Sequence, residues 1–437
     1  MPTPLYDQLK QLAAEQPLRL DMPGHHGKPL PVEHLWDVSI DFTENGRTGD
    51  LFGGADDAIE AAETLWADRF GFDACLFLTG GSTQGIHTGL TLLAGIDGHV
   101  ALDRGSHRSA YNALALLGLT PHYLTRPWLD GQGITGPIQP DEVENLLKCN
   151  PNIKTVCITS PTYYGVLSDL PAIAGVCHAH GARLMVDGAH GAHLPFLGYT
   201  GYAAADVVVM SAHKTLPTPG QTALLFANGL SLDHLRRAGS VYGSSSPSYV
   251  MMAALDTARA DMEEQGRERC TFVGNLVDEL RKKYPSVDTE ELRLDPLRLT
   301  LRCGDGFALA EGLRQKGIYP EMADSGHVVF IFTCADSEDD VKRLSAALDE
   351  LGVDGSSHCP PPPELPEQAL SPRQALFAPR EEIPLAQSEG RIAACQIAPY
   401  PPGVPVIAPG ERIQKKHLVY LQKIVYNDDV CQVISES

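Results

Sequence analysis

The sequence predicts an α/β protein: a mainly parallel central sheet with helices on both faces, followed by a smaller α/β C-terminal part. Three observations predict it. Apolar runs alternate with helix-like stretches from residue 74 to residue 227. The runs are apolar throughout, as in Val207-Val208-Val209-Met210, the pattern of strands buried on both faces. A second, shorter alternation follows, and then four consecutive prolines, Pro360 to Pro363, break the chain.

Taken in order, residues 1–20 read as an amphipathic helix, with Leu5, Leu9 and Leu12 at helical spacing. Residues 21–55 are rich in Gly, Pro, His and Asp and read as irregular. A helix is expected from about Asp56 to Phe70, with Ile59, Leu65 and Trp66 on one side. Strands are expected at Ala74–Thr79, His99–Asp103, His122–Thr125, Thr155–Thr159, Arg183–Asp187, Asp206–Ser211 and Ala223–Ala227. Helices fall between most of them: Thr83–Leu93, Ser109–Leu117, Pro140–Lys148 and Leu170–His180. Residues 246–284 read as one long helical connection. A smaller unit then follows: strand Leu297–Leu301, helix Phe307–Lys316, strand Val328–Phe332 and helix Glu338–Leu351. The resulting divisions are an N-terminal segment 1–55, a large domain 56–285, a small α/β domain 286–356 and a C-terminal segment 357–437. No internal repeat is seen.

Composition bounds the function. The chain has 437 residues and is 43% hydrophobic, enough to bury a sizeable core without disulfide or metal staples. Its 34 Lys and Arg stand against 55 Asp and Glu, a net charge of −21. Such a surface repels phosphate backbones, so nucleic acid is not expected as a partner, whereas a cationic small molecule is compatible. The ten cysteines are scattered without a CxxC pair, so cysteine spacing suggests neither a zinc ribbon nor a redox pair. The N-terminus lacks the apolar core of a signal peptide. No window approaches ~18 uninterrupted apolar residues, so no membrane span is expected, and a cytoplasmic location follows.

In open α/β sheets, ligands bind beyond the carboxyl ends of the strands. Five such ends carry polar residues. Gly80-Gly81-Ser82-Thr83-Gln84-Gly85 enters a helix and resembles a phosphate cradle, although an ordinary capped turn fits it too. His107 follows the next strand, on a loop well placed for function. Ser160-Pro161-Thr162-Tyr163-Tyr164-Gly165 reads equally as a site wall or a Pro/Gly turn. Asp187, closing a buried apolar strand, is costly unless it meets a cation or a donor. With His190 and His193 it also fits a metal-dependent hydrolase, which is the main rival reading. Lys214 stands just beyond another buried strand, where burial lowers an ammonium pKa and suits imine formation. A phosphate cradle, a buried acid and a buried lysine are together the parts that pyridoxal 5'-phosphate requires. The metal reading leaves Lys214 and the glycine loop unexplained.

These stretches resemble the fold-type I pyridoxal-phosphate enzymes and, within them, the Orn/Lys/Arg decarboxylases of the short bacterial type. The resemblance rests on Met22-Pro23-Gly24-His25, Leu78–Thr83, Ser160–Gly165, Asp187–His193, Ser211-Ala212-His213-Lys214-Thr215-Leu216, Leu370-Ser371-Pro372-Arg373 and Pro399-Tyr400-Pro401-Pro402-Gly403. They run in family order from residue 22 to about residue 413. The resemblance implies that Lys214 forms the imine with the cofactor and that Asp187 pairs with the pyridine nitrogen. His107 would stack on the ring and His190 would lie against its other flank. Gly81, Ser82, Thr83, Ser211 and His213 would hold the phosphate, and Lys214 or His213 would return a proton to carbon. Ser245 is the candidate for the substrate carboxylate region, and Asp41, Glu44 and Asp50 for the substrate's cationic end.

The implied reaction is loss of CO2 from arginine, lysine or ornithine to give the corresponding polyamine-type amine. The implied assembly is a homodimer or larger homo-oligomer. Two departures stand out. Relatives commonly carry Asp-Glu-Ala-His where this chain reads Asp187-Gly188-Ala189-His190, and Asp-Asp-Leu where it reads Gly49-Asp50-Leu51. They keep open a different reaction on the same cofactor, by an aldolase, aminotransferase or lyase.

Overall fold

The protein was analysed as a computed structural model, which describes residues 4–31, 38–287, 292–357, 359–399, 404–424 and 430–435. Residues 400–403 of the turn-rich motif lie outside the described residues.

The chain opens with helix α1 (Pro4–Ala14) and strand β1 (Leu18–Leu20). The single helix expected over residues 1–20 therefore stops early, and Gln16 turns the chain at φ 49°. β1 then pairs in parallel with a strand some 300 residues downstream. Helix α2 (Ala58–Phe70) starts where Asp57 accepts hydrogen bonds from the Ile59 and Glu60 amides, and ends at Gly71, φ 76°. Ile59 and Trp66 face the core, but Leu65 is 47% exposed, contrary to expectation. Six residues are about 1.7 turns, which carries Leu65 to the other face.

The large sheet is built from β2 (Ala74–Leu78), α3 (Gly81–Ala94), β3 (His99–Asp103), α4 (Arg108–Leu117) and β4 (Thr120–Leu124). The hairpin β5 (Trp128–Leu129) and β6 (Ile134–Thr135) and helix α5 (Pro140–Cys149) intervene. Then come β7 (Ile153–Thr159), α6 (Leu170–Ala179), β8 (Arg183–Asp187), β9 (Val207–Met210), α7 (Ala212–Thr215) and β10 (Ala223–Ala227). The seven strands stand in the order β2-β10-β9-β8-β7-β3-β4. All neighbours are parallel except β10, which runs antiparallel to both β2 and β9. The inner strands are apolar because they are buried on both faces, whereas the edge strand β4 is only partly buried. α3 lies close on the sheet because it carries glycines there. A Cβ at Gly85 would stand 2.6 Å from Val209 Cγ1, and one at Gly89 would stand 2.6 Å from Met185 Cε.

Helix α8 (Leu232–Gly239) leads to α9 (Tyr249–Asp261) and α10 (Arg267–Lys283). The long connection expected here is interrupted by a π-helical turn at Met262–Gly266. The smaller unit comprises β11 (Arg298–Arg302), α11 (Gly306–Gln315), β12 (Ile318–Pro320), β13 (Met322–Ala323), β14 (His327–Ile331) and α12 (Glu338–Leu351). β11, β14 and β13 form an antiparallel sheet, while β12 receives β1.

Beyond the prolines lie α13 (Pro372–Phe377), β15 (Arg380–Pro384), α14 (Lys415–Lys423) and β16 (Val430–Ile434). This segment has a core of its own around Ile397, Ile407, Ile413, Leu421 and Val433. Two contacts dock it on the large sheet. Arg373 donates to the Ala115 and Leu116 carbonyls at the end of α4, where a cation suits the helix dipole. Glu411 receives Arg104, just beyond β3, through paired bonds of 2.6 and 2.8 Å. We propose to keep the chain divisions at residues 55, 285 and 356. No helix of the described residues is long and apolar enough to cross a membrane.

Candidate active site

Two aspartates close strands on either side of β7, and their surroundings differ. Asp103 ends β3 and is fully engaged. Arg126 grips it at 2.6 and 3.1 Å, and the Gly105 and Thr159 amides donate to it. Asp187 ends β8, is 5% exposed, and accepts one hydrogen bond, 3.1 Å from the Ala189 amide. No ion pair closes on it among the described residues. Burial raises its pKa, partly offset by the nearby Lys214. An acid left in this state is ready for a cationic donor on a ligand.

Lys214 sits on α7, directly beyond β9, the strand next to β8. The preceding loop is held from outside. The Gly24 amide donates to the His213 carbonyl, and a Cβ on Gly24 would lie 3.0 Å from the Lys214 and Leu216 carbonyl oxygens. The Met22–His25 motif therefore backs the lysine loop. Burial lowers the Lys214 pKa, with Asp187 and Glu321 pulling the other way.

His190 stands 3.1 Å from Lys214 through Nε2, and its Nδ1 lies 3.3 Å from Arg298 Nη2. A guanidinium only donates, so Nδ1 must accept. The ring is neutral, with its pKa held well below the usual range by burial first and then by Lys214 and Arg298. Its proton is therefore on Nε2 and points at Nζ. That contact suits Lys214 as the free amine, the form that burial favours.

The remaining expected residues divide into two groups. His107 caps α4, bonds Ser109 through Nδ1 at 2.9 Å, and is lowered to about 4, by burial first. His213 donates Nδ1–H to the Thr222 carbonyl at 2.8 Å, which leaves Nε2 as a lone pair. Gly81 turns the chain at φ 71°, and Ser82 and Thr83 open α3 at an N-terminus without a side-chain cap. Ser211 Oγ and Thr215 Oγ1 are buried without partners. Tyr163 packs its ring 4.5 Å from His190.

The second group lies elsewhere in this chain. Glu44 accepts from the Leu51 amide, and Asp50 from the Phe52 and Gly53 amides, so both brace their own loop. Asp41 and Ser245 are exposed. No described contact brings these four to Lys214.

The metal reading is corrected here. His193 bonds Asp295 at 2.8 Å, His190 faces Lys214, and Asp187 holds a backbone amide, so the three do not converge. Sequence reasoning missed Arg298, whose side chain is fully buried with Nε and Nη1 unpartnered, and Glu321, whose carboxyl burial raises. An Arg set between Leu297 and Leu299 in an expected strand was the available signal for the first. For Glu321, between two short strands, the sequence held none.

The fold and site define an α/β protein with a buried lysine near a buried acid at the carboxyl ends of the strands. Comparison makes this specific. The family model for the Orn/Lys/Arg decarboxylase major domain matches residues 3–294, and that for the Orn/Lys/Arg decarboxylase C-terminal domain matches residues 362–429. Arginine decarboxylase of Bacillus subtilis (strain 168) is 30% identical over 96% of this chain and 93% of its own. Among solved structures, lysine decarboxylase A from Pseudomonas aeruginosa matches with TM-score 0.75 at 20% identity, covering 90% of this chain and 73% of that one. A structure of SPT with PLP matches with TM-score 0.55 at 17% identity, over 70% of this chain and 80% of that one. At these identities the two structures attest the fold alone.

The chain belongs to the Orn/Lys/Arg decarboxylase family. It is an amino acid decarboxylase acting on a basic amino acid.

Proposed function

We propose that the enzyme decarboxylates L-arginine, with pyridoxal 5'-phosphate attached at Lys214. The neutral Lys214 amine, fixed by His190 and Arg298 opposite a spare buried acid, carries the cofactor assignment. The similarity to an arginine decarboxylase along nearly the whole chain favours arginine over lysine and ornithine.

The residues present fit the cofactor. Ser211 Oγ and Thr215 Oγ1, buried and unpartnered beside α7, offer hydroxyl donors. The uncapped start of α3 at Gly81, Ser82 and Thr83 offers backbone donors to a phosphate. Asp187 would keep a pyridine nitrogen protonated, and His107, held neutral, would present its ring face. When bound, the cofactor supplies the sink for the electron pair left by departing CO2.

The chain's own residues supply orientation and protons. His190 directs its Nε2–H at Nζ, which favours the amine form of Lys214 before substrate arrives. Arg298 fixes the His190 tautomer, and Tyr163 packs against the same ring. His213 has its Nδ1–H committed to Thr222, and burial disfavours a second proton. We therefore assign proton return to Lys214, whose amine takes up a proton from the substrate's α-ammonium group and then gives it to carbon. Gly188 has a packing reason: a Cβ there would lie 3.2 Å from the Tyr202 ring and 3.3 Å from the Val209 carbonyl oxygen.

We also infer a homodimer in which the loops bearing Glu44, Asp50 and Ser245 serve the partner's site. Phe42 and Val241, beside those loops, are 57% and 70% exposed. All ten cysteines are unpaired, which supports a reducing, cytoplasmic setting.

The test is spectroscopic and catalytic. The loaded protein absorbs in the visible, Lys214→Ala abolishes that band, and CO2 is released fastest from arginine. An unchanged spectrum in Lys214→Ala removes the cofactor assignment. Equal or faster release from lysine or ornithine removes the arginine assignment.

A further inference from the structure

Asp324, His327 and Cys359 converge on one point at a distance from the lysine site. They are the only group of three such side chains among the described residues whose ligand atoms converge closely enough to hold an ion. Asp324 lies in the turn between β13 and β14, His327 opens β14, and Cys359 directly precedes the proline run. His327 Nδ1 stands 3.0 Å from Asp324 Oδ1, Cys359 Sγ stands 3.4 Å from that oxygen, and Sγ stands 3.6 Å from Nδ1.

These distances come close to the edges of a coordination tetrahedron, the N–O edge being the short one. Zinc binds oxygen and nitrogen at ~2.0–2.1 Å and sulfur at ~2.3 Å, which at tetrahedral angles gives edges of about 3.3 Å (N–O) and 3.5–3.6 Å (O–S and N–S). The arrangement is not that of a Cys–His–Asp relay, in which the acid and the thiol use different ring nitrogens. Here both face Nδ1.

The surroundings orient each ligand as a metal site requires. His327 Nε2 donates to the Gln132 carbonyl at 2.8 Å, so Nδ1, which faces Asp324, is the nitrogen that would take the ion on giving up its proton. Asp324 Oδ2 receives the Tyr164 hydroxyl at 2.6 Å, and Oδ1 receives the Gly326 amide at 2.8 Å. Ser325 Oγ lies 3.4 Å from Cys359 Sγ. Glycines leave the space: a Cβ at Gly326 would stand 2.8 Å from Cys359 Sγ, and one at Gly133 would stand 3.2 Å from His327 Cε1. Asp324, Ser325 and Cys359 also line a cavity of about 490 Å³, from which water can supply a fourth ligand.

We propose that Asp324 Oδ1, His327 Nδ1 and Cys359 Sγ bind one zinc ion, the ligand set of oxygen, nitrogen and sulfur matching its borderline softness. The ion would tie the proline-rich strap leading to the C-terminal segment onto the small sheet. The inference does not depend on the arginine assignment.

The test uses full-length, cofactor-loaded protein treated with chelator and dialysed against zinc alone. Wild type retains one zinc more per chain than Cys359→Ala or His327→Ala, while Cys395→Ala matches wild type. Independently, zinc slows alkylation of Cys359 in the wild-type protein at least tenfold, read by peptide mass spectrometry, and leaves Cys149 unaffected. If a variant fails to fold, the alkylation arm decides. Equal zinc content in wild type and Cys359→Ala, or alkylation of Cys359 indifferent to zinc, overturns the proposal.

Discussion

Replacing Glu411 by Gln tests how the C-terminal segment is held. In the native pair, Oε1 accepts from Arg104 Nη1 at 2.6 Å, and Oε2 accepts from Nη2 at 2.8 Å and from the Ala408 amide at 2.7 Å. Glu411 is 0% and Arg104 9% exposed, so water compensates little. A glutamine has one acceptor oxygen. Placed at the Oε2 position it keeps two donors, but its amide then faces Nη1. Placed the other way, it opposes both Nη2 and the Ala408 amide. Either rotamer leaves a buried guanidinium half-satisfied and uncompensated in charge. Breaking a buried pair costs ~3–5 kcal/mol, and the retained hydrogen bond reduces this to about 3 kcal/mol.

A chain of this size does not unfold in one step, so a single melting midpoint is the wrong readout. Native-state hydrogen exchange of amides in residues 393–433 reports the local opening instead. A loss of about 3 kcal/mol accelerates it roughly 100-fold or more. The double variant Arg104→Met/Glu411→Leu should recover most of the loss, since an apolar pair of similar volume replaces both charges. Exchange within about threefold of wild type in Glu411→Gln refutes the reasoning.

Four further expectations follow from single contacts. His190→Phe removes the donor to Lys214 and lowers kcat/KM by about tenfold, the worth of one hydrogen bond of ~1.4 kcal/mol; an unchanged kcat/KM refutes the tautomer assignment. Gly191→Ala destabilises by ~1–3 kcal/mol because its Cβ would overlap the Tyr202 hydroxyl, and Tyr202→Phe partly restores stability; a denaturant series on the three variants reads both effects. Burial raises the Glu63 carboxyl to about 8, so between about pH 4.5 and 8 the folded state holds a proton that the unfolded state has released. Stability falls with rising pH there, by on the order of 1.4 kcal/mol per unit, and Glu63→Gln flattens that slope in urea titrations. Mixing inactive Lys214→Ala with Asp50→Ala restores about a quarter of the sites if each loop serves its partner across a two-fold interface, and restores nothing if the sites are self-contained.

Much of this was legible in the sequence because it is local. Strands buried on both faces leave unbroken apolar runs, and His99–Asp103, Arg183–Asp187 and Ala223–Ala227 were found to the residue. Lys214 and Asp187 announced themselves as charges at the ends of such runs. What stayed hidden was non-local. β1 pairs with β12 across the chain, and nothing in Leu18-Arg19-Leu20 points there. Arg298 enters the site from the small sheet, more than 80 residues after Lys214. The break at Met262–Gly266 is equally silent, since a π turn preserves helical composition. The cluster at Asp324, His327 and Cys359 lacks a familiar spacing because its cysteine comes from a strap folded back onto a strand.

The contrast between Asp103 and Asp187 shows why pattern alone falls short. Both end apolar strands, both are buried, and both are followed by a glycine within two residues. A rule that a buried strand-end aspartate marks the site would select either. The difference lies in what each has already been given. Arg126, from beyond β4, satisfies Asp103 completely and makes it a strut of the sheet. Asp187 has one amide and a lysine whose charged form burial disfavours. The unspent charge therefore collects at one point of the sheet edge, between β8 and β9. Ser211, just beyond β9, and Thr215, on α7, add two buried hydroxyls without partners. On the proposed cofactor assignment it is this local deficit of partners, rather than the net charge of −21, that would fix where a cationic ring and its phosphate are held.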